Sequence, residues 1–448
     1  LENGFDESDI AVVHPYNLDA FIGLNTKVVG ISTMDPLGMG YVSKTYSSLI
    51  GGGEPMNSIE FRSLMRHKSF QKHKPKTIVG GAGAWQLEYK NVMDSYGIDC
   101  VVVGESEKIV AELFIKAVKG ENLPQVVHTK ANPAYEEIPA IKHASIHGVV
   151  EISRGCGRNC QFCTPTMQKR RNFPLDKIMK EVEVNVKEGA ERITLSTEDI
   201  FLYGAKDNGF IPNKEAVLKL LRSVASYPGV KAIQPSHMSL APVVYDPDMV
   251  KEASEILIEH NWYGYRGKPI VTAETGIETG SARLVRKYMM GKPLPFKPEE
   301  WRELVCQAFG ILNDIDWYPL ATLIVGLPDE TEDDVIETLE LIDDLGEYKA
   351  FFVPLLFVPL EKCLLEDQCG AEVGTLSGLR WDFLTECWEY NVRVWQSSFL
   401  EFRVRNHLLH NAITRFFLPP IGLIAGLYYG AKHGKIVRDS IWNMTGVT

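Results

Sequence analysis

The sequence predicts an α/β protein: an N-terminal doubly wound, Rossmann-like sheet over residues 1–130, a linker over 131–147, a partial (β/α)6 barrel over 148–360, and a mainly helical C-terminal region over 361–448. Three observations carry this. Short, continuous β-branched runs alternate with amphipathic segments through the first 360 residues, the pattern of parallel strands buried on both faces. The stretch between holds Pro133 and Pro139 with little periodicity, as a linker does. Past Glu361 the strand pattern gives way to a helical one.

In the first part, the strands are read at Thr26–Thr33, Lys76–Gly81 and Asp99–Gly104. Each ends in glycine or a small polar residue, so the backbone is expected to approach a planar or phosphate-bearing ligand past the carboxyl ends. In the second part, strand runs at Gly148–Ser153, Arg192–Ser196, Val230–Gln234, Pro269–Ala273, Leu320–Val325 and Ala350–Leu356 alternate with helical patterns such as Leu175–Glu188 and Glu332–Leu345. Six βα units imply an open barrel. Trp381, Trp388 and Trp395 recur every seven residues and predict one buried helix face in the third part. The chain opens at Leu1 in what reads as the end of a helix, so an upstream segment is expected.

With 448 residues, 45% hydrophobic and 23% charged, the chain has the composition of a multi-domain globular protein. The 47 Lys plus Arg against 58 Asp plus Glu leave a net charge of -11, which disfavours nucleic acid as the main partner. Eight unevenly placed cysteines do not make a secreted disulfide framework, and the cytoplasm is the expected compartment. The most apolar stretch, Phe416–Tyr429, is too short to span a bilayer and is interrupted by Pro419 and Pro420. No transmembrane segment is predicted. With Lys432, Lys435 and Arg438 behind it, that stretch reads as a core helix or as one lying in a membrane interface.

The strongest local signal is Ile152-Ser-Arg-Gly-Cys156-Gly-Arg-Asn-Cys160-Gln-Phe-Cys163, directly after a barrel strand. Three thiolates suit zinc or iron and sulfur. A structural zinc site normally takes four protein ligands, and no fourth Cys or His lies nearby. Three ligands leave one metal position open. Gly155 and Gly157 would let the loop wrap a cluster closely.

At these residues, with Phe162 before the last cysteine, the sequence resembles the radical S-adenosylmethionine enzymes. The resemblance implies that Cys156, Cys160 and Cys163 ligate a 4Fe-4S cluster whose open iron binds S-adenosylmethionine, and that an external low-potential donor supplies the electron. Phe162 and three further segments are placed by the resemblance around S-adenosylmethionine: Glu198 and Asp199 near its amino group, Glu274 and Glu278 near the ribose and carboxylate after the fourth strand, and Gly326 behind the adenine. Tyr203 and His237 are the candidates for a catalytic role. Cys306 reads as core, and Cys363, Cys369 and Cys387 are irregularly spaced.

The N-terminal runs, ending Val101-Val-Val-Gly104-Glu105-Ser-Glu107, resemble the cobalamin-binding domain that precedes the barrel in one subgroup. This implies that Ser32, Thr33, Gly80, Gly81, Gly83, Gly104 and Glu105 contact cobalamin. The axial-histidine motif Asp-x-His-x-x-Gly of mutase-type carriers is absent, so cobalamin would bind without that ligand. The subgroup implies a C-methyltransferase in which methylcobalamin serves an unactivated carbon. A peptide or protein residue is the favoured substrate, with the glutamine of methyl-coenzyme M reductase as the case to test. An archaeal or hopanoid lipid, or a cobalamin-independent cyclisation or carbon-carbon coupling, is the alternative.

Overall fold

The computed structural model describes residues 3–49, 53–129, 132–165, 168–206 and 210–403. The chain divides into two compact units, Leu1–Pro139 and Ala140–Thr448. The division falls inside the stretch read as a linker.

In the first unit four parallel strands, β1 (Val28–Ser32), β2 (Lys76–Gly80), β3 (Cys100–Val103) and β4 (Val126–His128), lie side by side in chain order. Alternate residues of a strand face opposite ways, and here both faces are covered. Val79, Val101 and Val103 pack with α1 (Met56–Met65) and α2 (Lys90–Tyr96). Ile78, Cys100 and Val102 pack on the other face with Leu113 and Ala117 of α3 (Val110–Lys119). That is why these strands read as unbroken apolar runs. Gly97 and Gly120 end α2 and α3 at φ +68° and +74°, the left-handed caps glycine adopts without strain.

Among its described residues, the second unit has six parallel strands. The trios β5 (Val149–Glu151), β6 (Arg192–Ser196), β7 (Ala232–Pro235) and β8 (Glu274–Glu278), β9 (Leu320–Val325), β10 (Phe351–Leu356) each form a sheet. They join where His237 bridges Glu274 in parallel register: Met238 N donates to Glu274 O at 2.9 Å and Glu274 N to Ser236 O at 2.9 Å. The result is the six-stranded partial barrel that the βα alternation predicts. Helices α4 (Leu175–Lys187), α5 (Lys214–Ala225), α6 (Pro247–Glu259), α7 (Ala282–Tyr288), α8 (Trp301–Asp314) and α9 (Glu332–Asp344) lie between the strands in chain order.

Two expectations need correction. The fourth barrel strand is Glu274–Glu278; within the run Pro269–Ala273, residues up to Ile270 belong to a hairpin, where Lys268–Ile270 pairs antiparallel with Tyr263–Tyr265. The polar residues of the true strand hide it from an apolar count, and its register breaks between Gly276 and Glu278, where Glu278 takes φ +65°. The tryptophans do not mark the buried face of α10 (Gly378–Arg403): Trp388 is 59% exposed. The buried stripe is Phe383, Leu384, Cys387, Tyr390 and Asn391, at helical spacing. Asn391 donates to Phe352 O at 2.6 Å and accepts from Phe352 N at 2.8 Å. A side-chain amide thereby occupies the backbone of a strand edge that would otherwise be open.

Candidate functional site

The cysteine loop leaves the barrel after β5 and is stapled at its base by Ser153–Arg154 pairing antiparallel with Arg171–Asn172. Inside it, Gly155 and Gly157 take φ +74° and +79°. A Cβ on Gly155 would meet the carbonyl oxygens of Lys169 and Gln168 at 2.8 and 2.9 Å, so only glycine lets the two limbs close. Cys156 N donates to Pro165 O at 3.2 Å and Cys163 N to Cys160 O at 3.1 Å. Cys156 and Cys160 are buried and Cys163 is half-buried. Burial raises both buried thiols, Cys160 to about 11. Arg158 pulls Cys156 the other way, and Lys292 does so for Cys160.

Those two cations frame the loop. Arg158 is 4% exposed; its Nη1 donates to Gly291 O at 2.8 Å and Lys292 O at 2.9 Å, and its Nη2 to Ser239 Oγ at 2.9 Å and Asp199 Oδ2 at 3.4 Å. Asp199, buried, also accepts from Phe201 N at 3.2 Å and Ser239 N at 3.3 Å. It is thus taken up in holding Arg158 and the turn after β6. Lys292 Nζ donates to Glu278 Oε1 at 2.7 Å. Burial works against this ammonium, but Glu278 and then Cys160 outweigh it and its pKa is raised. Sequence reading missed Arg158 and Lys292. Arg158 lies within the cysteine motif, but nothing in sequence joins it to Gly291.

Of the other residues named from sequence, the structure gathers Glu198, His237 and Glu274 at the seam of the two sheets. His237 Nε2 lies 3.3 Å from Glu274 Oε2. Burial opposes its charge, yet the Glu274 carboxylate and Glu198 carry its pKa above 6.5. Burial raises Glu198, with His237 opposing. Such a cluster can hold an ammonium or sugar hydroxyls. Gly326, at φ +81°, ends β9 and donates its N–H to Glu330 Oε2 at 3.0 Å; a Cβ there would meet Ala371 Cβ at 2.6 Å. Glu330 is held in turn by Arg380 at 2.7 Å. Phe162 is half-buried in the cysteine loop. Tyr203 stands apart: buried, it donates its hydroxyl to Phe173 O at 2.9 Å.

In the first unit, the residues named from sequence sit at the carboxyl ends of β1, β2 and β3. Thr33 N and Oγ1 both donate to Gly80 O, at 2.8 and 3.0 Å, and Gly83 N donates to Thr33 O at 3.0 Å. A Cβ on Gly81 would meet Thr33 N at 2.6 Å, one on Gly83 the Met34 backbone, and one on Gly104 the Thr129 side chain. The close approach these glycines permit is therefore between neighbouring loops. Ser32 ends β1 and Glu105 follows Gly104. Strand order does not reverse among the described residues, so topology alone does not locate a crevice.

Residues 150–342 match the family model of the radical SAM superfamily. This segment is a radical SAM domain. The tRNA-2-methylthio-N(6)-dimethylallyladenosine synthase of Thermotoga petrophila is 24% identical over 274 residues, 61% of this chain and 57% of that protein. The enzyme of the same name from Opitutus terrae is 28% identical over 242 residues, 54% and 46%. The chain thus spans roughly half the length of these curated relatives. Among solved structures, the radical S-adenosylmethionine methyltransferase TsrM from Kitasatospora setae, with cobalamin and a [4Fe-4S] cluster bound, superposes with TM-score 0.53 at 14% identity, over 79% of this chain and 66% of that one. This is a likeness of fold.

A radical SAM domain implies a 4Fe-4S cluster and S-adenosylmethionine, and the residues fit them. Among the described residues no three or more His, Cys, Asp or Glu side chains are arranged to hold one metal ion, the three loop cysteines included, and Cys363, Cys369 and Cys387 form no such group either. A cluster takes one thiolate per iron, so its ligands need not converge on a point. Three thiols on a glycine-hinged loop with two buried cations beside it suit a cluster with one iron left free. Cys306 is a half-buried thiol of α8. No helix among the described residues is long and apolar enough to cross a membrane; Phe416–Tyr429 and the basic residues after it lie outside the described residues.

Proposed function

We infer that the chain is a cobalamin-dependent radical SAM C-methyltransferase acting on an unactivated carbon. The observation that carries the reading is the three-thiol loop closed by Gly155 and clasped by buried Arg158 at the mouth of a six-stranded radical SAM barrel. An α/β unit precedes that barrel, and the fold likeness to TsrM, whose structure holds cobalamin, supports the methyl-transfer assignment.

When bound, the cluster with S-adenosylmethionine supplies a 5′-deoxyadenosyl radical, and cobalamin supplies the methyl group. The chain's residues do the rest. Cys156, Cys160 and Cys163 hold the cluster, while Arg158 and Lys292 offset negative charge that the barrel interior screens poorly. Glu198, Glu274 and His237 receive the polar groups of S-adenosylmethionine, with Phe162, Glu278 and Gly326 lining its site. Ser32, Thr33, Gly80, Gly81, Gly83, Gly104 and Glu105 form the cobalamin side of the first unit. The favoured substrate is a peptide or protein side chain, with the glutamine of methyl-coenzyme M reductase tested first and lipid second. A second reading, methylthio transfer, is favoured by the names of the curated relatives; the net charge of -11 weighs against a tRNA substrate.

The test is anaerobic reconstitution with isotopically labelled S-adenosylmethionine, reductant, cobalamin and candidate substrates. The expected products are 5′-deoxyadenosine, S-adenosylhomocysteine and a product heavier by one methyl group. A product that gains sulfur, or turnover that ignores cobalamin, defeats the reading.

A further inference from the structure

Beside Cys156 lies a cleft of ≈ 920 Å³ which, among the described residues, is lined by five cations, Arg158, Lys169, Arg170, Arg286 and Lys287, and by no carboxylate. In a chain of net charge -11 this is a local reversal of sign. Three of the five have carboxylate partners outside the lining: Arg286 pairs with Glu299, Lys287 with Asp329 at 2.7 Å, and Arg158 with Asp199 at 3.4 Å.

The inner pair is built differently. The guanidinium of Arg158 lies 4.6 Å from the centroid of the Phe210 ring and that of Arg170 lies 5.7 Å from it. One aromatic residue thus holds two like charges in one place. Phe210 is itself buried, at φ +52°. Arg158 is 4% exposed, and its Nε is buried with no hydrogen-bond acceptor. A buried N–H left unmatched is costly unless a ligand supplies the acceptor. Among the described residues Arg170 meets the Phe210 ring and has no carboxylate within ion-pair distance. Burial acts against its charge and lowers its pKa, with Asp199 and then Cys156 opposing and Arg158 adding to the burial. The guanidinium of Arg170 and the unmatched Nε–H of Arg158, on two residues that line the same cleft, supply donors for a carboxylate or phosphate, and the volume is that of a small-molecule site.

We propose that Arg158 and Arg170, spaced by Phe210, form a subsite for a carboxylate or phosphate group carried by the substrate. The proposal rests on the reading of the adjoining loop as the cluster site, and it narrows the substrate to an acidic molecule. The same chemistry could come from the carboxylate of S-adenosylmethionine, so the experiment separates the two sources.

Full-length reconstituted protein is titrated calorimetrically with inorganic phosphate and with succinate, with and without saturating S-adenosylmethionine. Wild type is expected to bind saturably, with S-adenosylmethionine leaving the site open. Arg170→Gln is expected to weaken binding about 10-fold, as the loss of a charge-assisted fork does, and Arg170→Lys, which keeps the charge, is expected to fall between. Lys287→Gln, at a cation already paired, is expected to change binding less than about 2-fold. Unfolding midpoints recorded alongside identify any variant that has lost its fold, and the other substitution at Arg170 then decides. Equal binding by wild type and Arg170→Gln, or equal losses in Arg170→Gln and Lys287→Gln, overturns the subsite. Exclusion of phosphate by S-adenosylmethionine, with matching loss of S-adenosylmethionine affinity in Arg170→Gln, overturns the assignment to substrate. Iron content and release of 5′-deoxyadenosine by wild type test the radical reading separately, since the anion titration needs neither reductant nor turnover.

Discussion

Lys292 Nζ and Glu278 Oε1 stand 2.7 Å apart beside Cys160, with side chains 13% and 9% exposed. Glu278 is held at φ +65° by a break in the β8 register, and Thr322 of β9 reaches its other oxygen at 3.5 Å. A pair this deep has little net worth against an apolar replacement, but removing one partner strands a charge. Lys292→Met should therefore destabilise the fold by about 3–5 kcal/mol, and adding Glu278→Leu should recover most of that. A double-mutant cycle from urea denaturation measures both. Additive losses from the two substitutions would show that the pair is not the unit described.

His237 gives a pH dependence whose sign follows from its partner. Burial disfavours the imidazolium, but Glu274 and Glu198 carry its folded pKa above 6.5. A raised folded value means the pair's stabilisation is full below about pH 6.5 and is lost as pH climbs through the folded pKa. Glu274→Gln removes the larger attraction and leaves the burial. His237 should then titrate at lower pH than in wild type, read from its imidazole resonances by NMR. An unchanged midpoint would detach His237 from Glu274.

Sequence reading located β1 to β3, β5 to β7, β9 and β10 from their short β-branched and apolar runs, and of these β2 and β3 bury apolar residues on both faces of their sheet, where composition alone marks a strand. β8 escaped because Glu274, Gly276 and Glu278 are chosen for what lies at the seam and the cluster loop. The three cysteines were legible because their ligand spacing is local. Arg158 was not, since its acceptors at Gly291 and Lys292 are more than 130 residues away and no periodicity links them. The tryptophans of α10 misled for a related reason: seven-residue spacing sets side chains on one helix face, and which face is buried depends on β10, which Tyr390 and Asn391 meet.

Gly155 and Gly189 separate backbone strain from crowding. Both take positive φ, +74° and +97°, but a Cβ on Gly189 would meet nothing within 4 Å, whereas one on Gly155 would press on two carbonyl oxygens. Gly189→Ala should cost about 1–2 kcal/mol, the left-handed penalty alone. Gly155→Ala should cost that or more and also spread the limbs of the cysteine loop, so iron per chain after reconstitution should fall while Gly189→Ala stays at the wild-type level. Equal iron content in the two variants would mean that the loop tolerates the wider gap.

Tyr203 tests whether a phenol near the barrel mouth takes part in chemistry. Its hydroxyl is committed to Phe173 O at 2.9 Å, and burial pushes its pKa up to about 12, with Asp176 adding to it, so the neutral donor is the stable form. The bond ties the turn after β6 to the residue just before α4, on the far side of the cysteine loop's staple. Tyr203→Phe leaves the ring in place and Phe173 O without its donor, which should cost about 1–2 kcal/mol of stability. Because the hydroxyl already has a backbone partner, iron content and 5′-deoxyadenosine formation should match wild type at temperatures where both are folded. Thermal denaturation and product analysis on the same preparation decide the matter: loss of turnover at unaltered stability would make Tyr203 a reacting group, and loss of stability with turnover intact makes it a strut of the site.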